Sequence, residues 1–131
     1  MKKSGLWLVG CAALLIALAS CESGKDPVWI LETDNGKTIS VFNGNTLEVK
    51  LWGDPSTGYI WNAGALTNNV LTFESEEYQS DSGMTNSGGY YYFCYKAEKC
   101  GESLIHIVYY RESDPVLPPE KTFEVTIMVQ P

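Results

Sequence analysis

Past residue 26, the apolar residues of this chain recur at every second position. Leu47, Val49 and Leu51 alternate with Glu48 and Lys50. Ile105, Ile107 and Tyr109 alternate with His106, Val108 and Tyr110, and Phe123, Val125, Ile127 and Val129 repeat the pattern near the C-terminus. A period of two belongs to a strand with one buried face. Runs at 28–32 and 38–42 flank Asn35-Gly36, a two-residue hairpin signal. Asn43-Gly44 marks a turn before a strand at 45–52, and 70–78 and 90–97 are two further strands. If both turns are hairpins, 28–32 and 45–52 point one way and 38–42 the other. In the last run Tyr91, Phe93, Tyr95 and Ala97 share one face, Tyr90, Tyr92 and Cys94 the other. No segment after the N-terminal leader repeats at 3.6 residues. Short strands separated by turn signals predict an all-β sandwich.

The N-terminus has a different character. Lys2 and Lys3 precede a run, Leu6 to Leu18, that is apolar apart from Gly10 and ends in Leu18-Ala19-Ser20-Cys21. This is the layout of an export signal, too short and wrongly flanked for a stable transmembrane span. The ending resembles a bacterial lipobox, in which Cys21 is acylated and becomes the new N-terminus. Residues 1–20 are then the signal peptide, 21–26 a lipidated tether of at most roughly 17 Å, and 27–131 one domain. Two or three acyl chains anchor firmly, each buried methylene giving about 0.8 kcal/mol. The protein is expected on a membrane of the bacterial cell envelope.

Charge narrows the partners. The chain holds 9 Lys and Arg against 16 Asp and Glu; without Lys2 and Lys3 the balance is about −9. That argues against nucleic acid and against adhesion to anionic lipid. Cys94 and Cys100 bracket a plausible turn, and an exported domain meets an oxidising compartment, so a disulfide between them is expected. So small a ring contributes roughly 2 kcal/mol. Cys94, Cys100 and His106 as metal ligands are a weaker reading, since their spacing is wide, and Cys-x-x-Cys redox chemistry is absent. His106 is the sole histidine, on the outer face of its strand, and any Ser-His-Asp or Cys-His enzyme would depend on it. Glu74, Glu76 and Glu77 read as a solvated strand edge. No cofactor and no catalytic residue are expected, and the domain is expected to be monomeric.

Three loop segments carry the functional signal. Asp54-Pro55-Ser56-Thr57-Gly58-Tyr59-Ile60-Trp61 joins a fixed φ at Pro55 to a permissive Gly58. Ser87-Gly88-Gly89-Tyr90 lets a backbone approach closely. Tyr109-Tyr110-Arg111 leads into a third loop at 111–120. In order and spacing these resemble the chagasin family, inhibitors of papain-like cysteine peptidases. That family's first loop reads Asn-Pro-Thr-Thr-Gly with an aromatic and then Trp. Its second is Gly-x-Gly-Gly before a Phe-x-Phe-x-Ala strand, matched here by Asn86 to Gly89 and Phe93 to Ala97. Its third is Arg-Pro-Trp, of which only Arg111 is kept, Glu112 and Ser113 departing. The resemblance spans roughly 27–129. It implies an immunoglobulin-like antiparallel sandwich with loops 53–59, 80–89 and 111–120 at one end. It implies peptidase contacts through Asp54, Pro55, Ser56, Thr57, Gly58, Tyr59, Ser87, Gly88, Gly89, Tyr90 and Arg111, with the first loop wedged over the catalytic cysteine. The competing reading is a lipid-anchored interaction or adhesion module without inhibitory activity.

Overall fold

The computed structural model describes residues 26–81 and 88–131. Eight strands follow in chain order: β1 (Val28–Leu31), β2 (Thr38–Phe42), β3 (Thr46–Gly53), β4 (Tyr59–Ala63), β5 (Leu71–Ser80), β6 (Gly89–Ala97), β7 (Gly101–Arg111) and β8 (Lys121–Gln130). They form two four-stranded sheets, β1-β3-β6-β5 and β2-β8-β7-β4. The period-two pattern explains the layering. Leu47, Val49, Leu51, Phe93 and Tyr95 face inward from the first sheet, and Ile105, Ile107, Phe123, Val125 and Ile127 from the second, all almost fully buried. Burying each such side chain stabilises the fold by about 1.5–3 kcal/mol relative to exposure. His106 lies on the outer face as expected, exposed, 3.2 Å from the Glu124 carboxylate.

The Asn35-Gly36 turn is not a hairpin. β1 pairs in parallel with β3, Val28 opposite Leu47, and β2 pairs in parallel with β8, Thr38 opposite Thr126. The chain therefore crosses between sheets at this turn. Its polar groups explain why: the Gly36 N–H donates to Glu124 O at 2.7 Å, and Asn35 Oδ1 accepts from the Glu124 N–H at 2.8 Å. The turn is held by β8 rather than by a partner strand of its own. Asn43-Gly44 is a second crossing, its amides donating to Gln130 O of one sheet and Ala97 O of the other. The strand directions nonetheless match the expectation, because a crossing reverses the chain as a hairpin does. β1 and β3 run toward the turn at residues 54–58, and β2 runs away.

The expected bridge between Cys94 and Cys100 is also corrected: Cys100 carries a free, exposed thiol. Residues 94 and 100 do not lie across a hairpin. Cys94 alternates with inward-facing Phe93 and Tyr95, so it leaves the outer face of the first sheet; it is disulfide-bonded, but not to Cys100. Cys100 stands at the entry to β7, in the other sheet. A disulfide needs β-carbons that approach and face one another, and this crossing turns them apart. Cys21 lies outside the described residues.

Candidate inhibitory site

Three connections meet at one end of the sandwich. β3 enters the turn at 54–58, β5 and β6 close the second loop with Ser80 opposite Gly89, and β7 ends at Arg111, opposite Tyr59. Of the expected contact residues only Ser87 lies outside the described region.

The first turn is a single 3-10 turn, Pro55–Thr57, and is bonded almost entirely to itself. Asp54 caps it: Oδ1 accepts from the Ser56 N–H at 3.1 Å and the Ser56 hydroxyl at 2.7 Å. The Asp54 carbonyl accepts from the Thr57 N–H at 3.1 Å and the Thr57 hydroxyl at 2.6 Å. The Pro55 carbonyl accepts from the Gly58 N–H at 3.0 Å. Proline pre-sets φ at the first helical position, and Gly58 exits at φ 89°, a left-handed conformation that glycine adopts without steric cost. The Gly58 carbonyl then accepts from the Glu112 N–H at 3.0 Å, tying the first loop to the third. Ser56, Thr57 and Gly58 are exposed.

An aromatic column supports this turn. Trp61 packs on Tyr109 at 5.0 Å between centroids, Tyr109 stacks on Tyr59 at 5.6 Å, and the Arg111 guanidinium lies 5.0 Å from the Tyr59 ring centre. The Tyr109 hydroxyl accepts from the Asp54 N–H at 3.2 Å, and Trp61 Nε1 donates to Trp52 O at 2.7 Å. Gly53 leaves room for the column: a Cβ there would sit 3.0 Å from Trp61 and Tyr91 and 3.2 Å from Tyr109. Burial above all, then Tyr109, Tyr78, Glu76 and Glu112, pushes the Tyr91 phenol up to about 12. It therefore stays neutral across the physiological range.

The second loop is set by close approach. Gly88 has φ 79°, and a Cβ on it would lie 2.6 Å from the Trp52 ring. A Cβ on Gly89 would collide with the Gln79 carbonyl of β5. The Asp81 N–H donates to Gly88 O at 3.0 Å and closes the loop's base. Tyr90 follows Gly89 as the second residue of β6. It turns onto the outer face of the first sheet, edge-on to Trp52 at 5.2 Å with Lys50 Nζ 4.3 Å from its ring centre. Strand alternation decides this, since Tyr91 beside it faces the core.

The sequence assigned no supporting role to Trp52, Gly53 or Tyr109, although Gly53 opens the first loop segment and Tyr109 leads into the third. A glycine in the inward phase of Leu47, Val49 and Leu51, just before a Pro turn, was the available signal for a close approach there. The Gly58–Glu112 tie had none, because backbone groups carry no residue identity.

Comparison with known proteins agrees with this arrangement. Residues 40–127, which span all three loops, match the Chagasin family peptidase inhibitor model. Amoebiasin-1 of Entamoeba histolytica is 31% identical over 101 residues, covering 77% of this chain and 98% of that protein. The solution structure of Amebosin superposes with a TM-score of 0.66 at 31% identity, over 81% of this chain and 100% of that one. The structure of PbICP-C in complex with falcipain-2 shares the fold, with a TM-score of 0.57 at 17% identity, over 86% and 96% of the two chains. The chain belongs to the chagasin family of peptidase inhibitors, and is not an enzyme.

Proposed function

We propose that this protein is a reversible inhibitor of papain-like cysteine peptidases, held on an envelope membrane through a lipid at Cys21. The observation that carries the inhibitory reading is the bonding of the first turn. A peptidase cleaves a carbonyl that it can place in its oxyanion hole, in line with its nucleophile. In this turn the carbonyls of Asp54, Pro55 and Gly58 already accept hydrogen bonds from their own chain. Those of Ser56 and Thr57 lie within a tight turn rather than an extended strand. The wedge can fill a cleft and present no aligned bond. Its rigidity also lowers the entropy lost on binding. Gly88 and Gly89 offer close backbone approach on one flank and Arg111 a charge on the other. PbICP-C, bound to falcipain-2 in its own structure, supports a peptidase of this class as partner.

The anchoring reading rests on the leader sequence and on strand direction. β1 starts at Val28, at the end of the sandwich away from the three loops. A tether at 21–26 is too short to swing the domain round, so the loops point away from the lipid. The test is inhibition of papain by soluble and liposome-bound protein, with Pro55→Gly and Thr57→Ala. Both variants should raise the inhibition constant, because each removes side-chain atoms expected to touch the enzyme, and the bound form should inhibit as well as the soluble one. No inhibition by the parent protein defeats the inhibitory reading. Loss of inhibition on liposomes that a longer linker restores defeats the orientation.

A further inference from the structure

We infer that Val116 is the apolar anchor of the third loop, and that the peptidase it fits has an apolar shoulder beside its cleft, rimmed by positive charge. The inference rests on the inhibitory reading above. Val116 is 89% exposed and Leu117 48%. A lone exposed valine carries little meaning, but here the loop is built to hold one out. Leu117 lines an open pocket of about 310 Å³ on the outer face of the second sheet, with Asn62, Val108, Tyr110, Pro115 and Pro119. The Asp114 N–H donates to Arg111 O at 3.1 Å, the Leu117 N–H to Asp114 O at 3.2 Å, and the Glu120 N–H to Tyr109 O at 2.8 Å. Pro115, Pro118 and Pro119 fix φ along the same stretch. Val116 projects from this braced turn, far more exposed than Leu117.

The Glu112–Gly58 bond makes this turn continuous with the wedge. A β-branched side chain has few rotamers to lose, so Val116 is pre-ordered for burial in a partner. Valine is an uncommon anchor compared with Trp, Tyr or Arg, so its contribution here comes from apolar burial alone. The loop's sequence holds Glu112, Asp114 and Glu120 against Arg111 and Lys121, an excess of negative charge that complements a basic rim.

The experiment is inhibition of papain by Val116→Ser and Val116→Ile, with thermal unfolding as a control on folding. Val116→Ser should raise the inhibition constant about tenfold, mainly through faster dissociation, with an unchanged melting temperature. Val116→Ile should stay within about twofold of the parent. If the parent inhibits and Val116→Ser matches it within twofold, the anchor is not Val116. If the parent does not inhibit papain at all, the inhibitory reading itself fails, and this inference with it.

Discussion

Replacing Asp54 by alanine separates two consequences of the bonded first turn. The change removes the acceptor of two hydrogen bonds, from the Ser56 N–H and hydroxyl. Loss of an N-cap of this kind costs about 1 kcal/mol. The turn then opens about fivefold more often, since 1.4 kcal/mol is a factor of ten. If the closed form starts in large excess, its population barely changes, and the inhibition constant moves less than about twofold by this route. Cleavage behaves differently. A cut needs the open form, so its rate follows the minor population and rises by the full factor of about five. Asp54→Asn keeps an oxygen acceptor and should stay near the parent. The assay incubates each inhibitor with equimolar papain and follows intact mass over hours, with the inhibition constant measured in parallel. Products should map within 54–59. An Asp54→Ala protein cut no faster than the parent, with no product in that segment, would refute the idea that internal bonding protects the wedge.

Gly88→Ala should lower stability by about 1–2 kcal/mol in denaturant unfolding, because it forces a left-handed conformation on a residue with a Cβ and drives that atom against Trp52. Burial first, and then the neighbouring Glu77 charge, raises the Glu48 carboxyl above its ordinary range. A raised folded-state value means the native protein binds the proton more tightly, so Glu48 lowers stability as pH climbs past the unfolded carboxylate value. Glu48→Gln should therefore raise the melting temperature at pH 7, and the gain should shrink below about pH 4.5; a constant gain across that range contradicts the assignment. Tyr109→Phe removes the acceptor of the Asp54 N–H and should cost about 1 kcal/mol in chemical unfolding. Cys100 should be alkylated in the folded, unreduced protein, as its exposure requires; protection of that residue in peptide mapping would restore the bridge.

The alternation of Leu47, Val49 and Leu51, of Ile105 and Ile107, and of Phe123, Val125 and Ile127 determined which face of each strand is buried. It did so because side-chain direction in a strand depends only on position parity. Pro55 and Gly58 likewise determined a tight first turn, since their backbone preferences are local. Pairing is not local. Whether β1 joins β2 or β3 depends on hydrogen-bond partners far along the chain. Asn35-Gly36 looks like a hairpin turn until β8 is present to receive its amide and side chain. The same crossing logic parted Cys94 from Cys100, and parity within β6 set Tyr90 on the outer face beside Trp52. Only the tertiary structure could bring Glu112 against Gly58 or slide Gly53 beneath Trp61, Tyr91 and Tyr109. These contacts join segments whose separation along the chain carries no signal, and they form only when two sheets pack and bring their ends together.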